Sequence, residues 1–344
     1  MLKTCLIASL ALLLAACGSG EQGAAQKAAA PAGGGLTGAG ATFPAPLYSQ
    51  WATAFQADGG APVNYQPIGS GGGVKQIKAG TVLFGATDRP LSATELSEAG
   101  LVQFPTVLGG VAPVVNVPGL AAGELKLSGQ LLADIFQGKI ARWNDPRLAA
   151  AAPRPLPNLP ITVVHRSDGS GTTFVFTSYL SLKSADWKSA LGAGEALEWP
   201  GGIGGKGNDG VAAYVKQTPG AIGYVEHAYA KQNAMADVQL QNAAGQFVGP
   251  DAAGFAAAAA AADWAATPGY GILLLDEPGQ GAWPITAATF ILVHKTAAAR
   301  EAIKFFEWAY AKGDASASGL GYTPLPAPLK DLVRATWAKE LPAS

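Results

Sequence analysis

The run ITVVHRSDGSGTTFVFTSYL, residues 161–180, contains the unit from which much of the chain is built. Ile161–Val164 is apolar and β-branched and reads as a buried strand. Arg166-Ser167-Asp168-Gly169-Ser170-Gly171-Thr172-Thr173 is small, polar and glycine-rich, and Phe174–Leu182 then reads as a helix. The start of a helix presents backbone N–H groups that have no intrahelical partner, together with a partial positive charge. Glycine lets that backbone approach a ligand, and hydroxyls add donors. This is a construction for holding an anion mainly with neutral donors.

The pattern recurs on both sides. Gly38-Ala39-Gly40-Ala41-Thr42-Phe43 stands before Pro44 and a helix-like segment. Gly69-Ser70-Gly71-Gly72-Gly73 follows a strand candidate, Pro62–Ile68, and precedes helix-spaced Val74, Ile77 and Lys78. Val82–Ala86 reads as a buried strand ending in Thr87-Asp88, and Phe104–Val117 is almost wholly apolar. Leu131–Phe136 reads as helix, Ile222–Val225 as strand, Phe255–Ala266 as an alanine-rich helix and Ile285–Val293 as strand. Ala297–Ala311 is an amphipathic helix with Ile303, Phe306 and Tyr310 on one face. Strands alternating with helices argue an α/β fold. Taken singly, each glycine loop fits an ordinary helix cap; three together favour an anion site.

Composition narrows the function classes. The chain has 344 residues, 49% hydrophobic and only 14% charged, with 45 glycines and 24 prolines. That length allows two domains. With 23 basic against 24 acidic residues and no basic cluster, there is no field for nucleic-acid phosphates, so nucleic acid is not an expected partner. The two cysteines, Cys5 and Cys17, lie at the extreme N-terminus. The histidines His165, His227 and His294 are far apart, so no zinc or iron–sulfur spacing exists.

The first residues read as an export signal. Lys3 gives a positive start, Leu6–Leu14 is apolar but too short to span a bilayer, and Leu14-Ala15-Ala16-Cys17-Gly18 follows. Small residues before a cysteine resemble the bacterial lipobox, which implies cleavage before Cys17 and a lipid on its thiol. Residues 1–16 are then a lipoprotein signal peptide and residues 17–35 a Gly- and Ala-rich flexible tether. The expected location is outside the cytoplasm, lipid-anchored to a bacterial membrane, with the body in the periplasm or on the cell surface.

Other motifs carry less. Gly202–Gly207 matches G-x-G-x-x-G, but Glu198-Trp199-Pro200 before it does not read as a strand, so the match is attributed to composition. Ser70 and Ser170 do not stand in G-x-S-x-G, and a serine hydrolase also needs a placed histidine base. His165, at a strand end, reads as solvated or packed. Lys75 and Lys78 share a solvent-facing helical face.

The longer runs resemble one family. GAGATFPAPLYSQW (38–51), YQPIGSGGGVKQIKAGTVLFGATDRPLS (65–92), FPTVLGGVAPVVNVPG (104–119), VVHRSDGSGTTFVFTSYL (163–180), GGIGGKGNDGVAAYVKQTPGAIGYVEHAYAKQN (201–233) and WPITAATFILV (283–293) are similar to the periplasmic phosphate-binding proteins of phosphate-specific ABC importers. The resemblance implies a two-lobed type II binding-protein fold with a cleft between the lobes. Residues 36–110 and 287–344 would form one lobe and 111–286 the other, with the segments near Phe104–Val117 and Trp283–Val293 crossing between them. It implies inorganic phosphate as ligand, no cofactor, transmembrane permease subunits as partners, and a monomer in solution. The implied ligand set is Thr42, Phe43, Ser70, Asp88, Arg166, Ser170, Gly171 and Thr172, with Asp168 pairing with and orienting Arg166. One departure is Arg89, where a small or apolar residue is expected; it could add positive field near the cleft mouth or point away into solvent, and the second reading is favoured. A phosphatase on the same fold, or a phosphate-binding surface sensor or adhesin without transport, are the alternative functions. Neither a nucleophile nor a metal nucleus for a phosphatase is visible.

Overall fold

The computed structural model describes residues 35–342. The signal segment 1–16, Cys17 and the tether up to residue 34 lie outside the described residues.

Eight strands form one continuous path. From one edge to the other they are Val63–Gln66, Leu36–Gly40, Phe84–Thr87, Ile285–His294, Leu101–Asn116, Ala221–Glu226, Thr162–Arg166 and Ile203–Gly205. The first three are mutually parallel, as are the last three. The two central strands join these halves through antiparallel pairings. With helices against the sheet, this is the α/β architecture expected.

The joint is the strand Leu101–Asn116, buried from Leu101 to Val115. Strands covered on both faces read as unbroken apolar runs, which is why this segment lacks alternation. Its residues 101–110 pair with the strand Ile285–His294, whereas Val111–Asn116 pair with Ala221–Glu226. The strand therefore leaves one half-sheet and enters the other between Gly110 and Val111. Pro105 lacks an N–H for the ladder, and the register shifts opposite it, so that Thr106 bulges between Pro105 and Val107. The bulged Thr106 hydroxyl bonds the buried Tyr48 hydroxyl at 2.6 Å.

Two packing features set the ends of elements. Gly73 leaves no room for a side chain: a Cβ there would stand 2.5 Å from the Gly40 Cα and 2.6 Å from the Ala39 carbonyl oxygen. The helix Ser70–Lys78 thus rests directly on its strands and delivers its N-terminus to their carboxyl ends. Behind that half-sheet, Phe306 meets the rings of Tyr48, Phe84 and Phe104 edge-on at 5.1–6.1 Å, an arrangement aromatic quadrupoles favour. It fixes the helix Ala299–Lys312 against the core.

The alanine-rich run differs from expectation. The helix covers Ala252–Ala259, capped by Asp251, and stops. Asp263 then caps a separate single turn, Trp264–Ala266, which tucks the Trp264 ring into the core. Alanine propensity favours continuing the helix, but burying the indole outweighs it. A three-stranded side sheet of Phe247–Val248, Gln239–Gln241 and Lys126–Leu127, and the helices Asp314–Leu320 and Ala327–Glu340, complete the fold.

Candidate functional site

Open α/β sheets place ligands beyond the carboxyl ends of their strands. Here those ends converge from both half-sheets. Strand Leu36–Gly40 delivers Thr42 and Phe43; the loop after Val63–Gln66 delivers Ser70; Phe84–Thr87 delivers Asp88. From the other half, Thr162–Arg166 delivers Arg166 to Thr172. All nine residues proposed from sequence for this pocket fall in one neighbourhood. Thr42, Phe43, Ser70, Asp88, Arg166, Ser170 and Thr172 are each at most 5% exposed, and Gly171 is buried.

The first loop is oriented by tyrosines. The hydroxyls of Tyr65, Tyr229 and Tyr322 donate to the carbonyls of Ala41, Thr42 and Phe43 at 2.6, 2.6 and 2.7 Å. In a trans peptide the carbonyl and the next N–H point in opposite directions. Tying back the Ala41 and Thr42 carbonyls therefore aims the Thr42 and Phe43 N–H groups the other way. Among the described residues neither amide has a protein acceptor. The Thr42 hydroxyl oxygen accepts from both the Asn208 amide N–H and the Asn208 side chain, at 3.2 and 2.8 Å. With its oxygen receiving two donors, its own hydrogen is left to donate outward.

The third loop is a capped helix start. Ser170 accepts the Thr173 N–H at 3.0 Å, and Gly171 and Thr172 open the helix Gly171–Lys183. Gly171 sits where the halves touch. A Cβ there would lie 2.6 Å from the Ser70 Oγ and 2.7 Å from the Asp88 backbone nitrogen. Nearby, the Gly71 N–H donates across to the Gly169 carbonyl at 3.0 Å.

Two carboxylates are handled differently. Asp168 binds the Arg166 guanidinium through both oxygens, at 2.7 and 2.5 Å, and accepts the Gly207 N–H at 3.0 Å. Burial raises the Asp168 pKa, but the Arg166 bonds and charge outweigh it and hold it below the usual carboxylate range. The Arg166 side chain, 1% exposed, also points Nη1 at the Thr172 hydroxyl, 3.4 Å away. Asp88 has no such partner. Its Oδ1 accepts the Thr289 hydroxyl at 2.8 Å, while its Oδ2 is buried with no hydrogen-bond partner among the described residues. Burial pushes the Asp88 carboxyl up to about 7, against the Thr289 bond and the Arg166 charge. An unpartnered buried carboxylate oxygen beside clustered donors seeks a proton.

Some roles were not legible from the sequence. Asn208 is fully buried and orients Thr42. Thr289 comes from a central strand next to the Thr106 bulge and holds Asp88 in place. Gly202–Gly207 is not chance composition: Ile203–Gly205 is a strand, and the helix Gly207–Gln217 opens directly onto Asp168 and Thr42. It is a fourth strand–loop–helix junction at the cleft. The strand runs through the motif rather than before it, so the dinucleotide fingerprint remains excluded. A signal was present in Gly207-Asn208-Asp209-Gly210, a helix start of the same kind as the other three.

Arg89 is a correction. It does not reach into solvent: its side chain is 21% exposed, and its Nε donates to Glu195 at 2.9 Å. Its two terminal nitrogens fork onto Glu95 at 3.2 and 3.0 Å. Two carboxylates flank the position, and they hold the guanidinium down. His165 is packed, its ring stacked on Trp199 at 4.8 Å with Nδ1 near the Arg166 carbonyl oxygen. Lys75 and Lys78 are exposed. Among the described residues no group of His, Cys, Asp and Glu could hold a metal ion.

Comparison with known proteins agrees with this geometry. A PBP superfamily domain model matches residues 25–312. The chain is 53% identical to the phosphate-binding protein PstS of Haemophilus influenzae, over 89% of this chain and 93% of that one. It is also 53% identical to PstS of Xylella fastidiosa, over 89% and 85%. Among solved structures, a high-affinity periplasmic phosphate-binding protein with bound phosphate, PfluDING, superposes with a TM-score of 0.70 at 25% identity. That match covers 88% of this chain and 93% of the other.

Proposed function

The chain belongs to the PBP superfamily, and from that premise we propose that it is the phosphate-binding protein of an ABC importer. It binds inorganic phosphate in the cleft and delivers it for import, as its PstS relatives are named for binding phosphate. The observation that carries this reading is the meeting of neutral donor loops from both half-sheets around one buried ion pair and one unpartnered carboxyl oxygen.

The proposed ligand set assigns each group a task. Thr42 and Ser70 donate hydroxyls and N–H groups, and Phe43 donates its N–H. Ser170, Gly171 and Thr172 supply the start of a helix, where anions are favoured. Arg166 offers its remaining donors to phosphate oxygens, with Asp168 fixing its plane and offsetting its charge. Asp88 is the acceptor. Phosphate near neutral pH keeps at least one proton and can donate it to Oδ2, whereas sulfate is fully ionised and would set an anionic oxygen against a buried carboxylate. The protein thus rejects sulfate by a mismatch it never presents to phosphate.

Residues 36–110 with 287–344 act as one lobe and 111–286 as the other, closing over the ligand. The body works as a monomer outside the cytoplasm, anchored through a lipid on Cys17 and docking on transmembrane permease subunits. Among the described residues no helix is long and apolar enough to cross a membrane, so on this reading import needs those subunits. The relatives are named as binding proteins rather than enzymes, and the phosphatase and sensor alternatives gain no support from the site. The test pairs phosphate titration with an aryl phosphate hydrolysis assay. Stoichiometric capture without turnover is expected; steady hydrolysis would establish the phosphatase instead.

A further inference from the structure

We propose that Arg89 and Glu195 form a latch across the cleft that slows the release of bound phosphate. The proposal rests on the phosphate-binding reading and concerns how long the ligand is held rather than what is held. Arg89 follows Asp88 at the carboxyl end of strand Phe84–Thr87, on one half. Glu195 belongs to the other: its carbonyl accepts the Ser170 N–H at 2.9 Å, and the adjacent Gly194 N–H bonds Thr177 on the helix Gly171–Lys183. The 2.9 Å bond from Arg89 Nε to Glu195 therefore ties the Asp88 loop to the Ser170 loop, directly beside the ligand set.

The geometry gives the pair unequal members. Arg89 is held from its own side by Glu95, which also closes the capping box of the helix Ala93–Ala99 with Ser92. It is aimed before the halves meet, and it stays paired when they part. Among the described residues Glu195 has no such second partner. Its Oε2 receives Arg89, while its Oε1 is buried without a hydrogen-bond partner among the described residues. Closing the cleft thus removes a carboxylate from water with Arg89 as its compensating charge. Parting the halves breaks that pair, which favours the closed form. Deleting Arg89 leaves a half-buried, uncompensated carboxylate beside an anion site, whereas neutralising Glu195 leaves an arginine still satisfied by Glu95.

The test measures phosphate dissociation by stopped flow in wild type, Glu195→Gln, Arg89→Met and the double variant, with Lys75→Ala as control. Glu195→Gln should release phosphate roughly twofold to fivefold faster, as a partly exposed ion pair allows. Arg89→Met should be faster still. The double variant should fall back to the Glu195→Gln rate, since removing the stranded carboxylate rescues the arginine variant. Added salt should speed release in wild type more than in the variants. If wild type binds phosphate but the single variants release it at the wild-type rate, or their effects simply add, the latch is wrong and the binding reading stands. If wild type fails to bind phosphate, both fall.

Discussion

Replacing Gly171 with alanine should cripple phosphate binding while leaving the unliganded protein as stable as before, or more so. Gly171 is the first residue of the helix Gly171–Lys183 and does not have a left-handed φ, so its backbone accepts alanine. Within the helix alone the change is favourable by about 0.5–1 kcal/mol, because glycine loses more backbone freedom. The obstacle lies across the cleft. The new Cβ would stand 2.6 Å from the Ser70 Oγ, 2.7 Å from the Asp88 Cβ and 2.7 Å from the Asp88 nitrogen. A serine hydroxyl can rotate aside, but a backbone nitrogen at the end of an interior strand cannot. Restoring ordinary contact, from 2.7 to 3.4 Å, asks the two loops to part by about 0.7 Å. Overpacking of this kind costs about 1–3 kcal/mol, or about 5- to 150-fold in affinity. The alanine keeps its N–H, so the loss is steric and not a missing donor. Calorimetric titration with phosphate and thermal unfolding without it separate the two effects. Affinity within twofold of wild type would refute the argument that the half-sheets meet at this point. Lost affinity accompanied by a melting temperature several degrees lower would refute the assignment of the clash to the closed form.

Further expectations follow from the same geometry. Arg166→Ala removes one half of a buried ion pair and strands Asp168, a change worth roughly 3–5 kcal/mol, so phosphate affinity should fall about 10²- to 10⁴-fold by calorimetry while Lys75→Ala is indistinguishable from wild type. Sulfate should compete with phosphate better at pH 5 than at pH 8: the Asp88 carboxyl, pushed up to about 7 by burial, is protonated at the lower pH and can then donate to sulfate. In the unliganded protein the native state keeps that proton after the unfolded chain, with its ordinary value of 3.8, has released it. Stability should therefore fall as pH rises from about 4 to 7, and Asp88→Asn should flatten that slope in pH-dependent denaturation curves while weakening discrimination against sulfate. Phosphate should shrink the radius of gyration measured by small-angle scattering; no change at saturation would contradict closure.

Much of the fold was legible because its local signals agree. Strand, glycine loop and helix start follow one another at Thr162–Arg166 with Ser170–Thr172, and again at Val63–Gln66 with Gly69–Gly73, so these elements and their candidate anion loops are readable from spacing and residue type. What escaped depends on contacts between distant segments. Thr289 is one β-branched residue in an apolar strand, and nothing nearby marks it as the partner of Asp88. Asn208 lies inside a glycine motif whose strand, Ile203–Gly205, is made of an isoleucine and two glycines with little β-propensity of their own, so no local strand signal marks it as a strand–loop–helix junction. Arg89 looked solvent-bound because its two partners are separated from each other by a hundred residues and only folding brings them to one guanidinium. The alanine-rich run misled in the opposite way: its local propensity was strong, and the burial of Trp264 overrode it.

On the reading proposed above, this cleft holds inorganic phosphate, one ion per chain. The most direct measurement is a phosphate assay on protein purified without added phosphate, denatured to release what it carries, then stripped, refolded and titrated. Uptake should saturate at about one phosphate per chain, unaffected by millimolar sulfate at pH 8. A stripped protein that takes up no phosphate, or that takes up sulfate equally well, would contradict it.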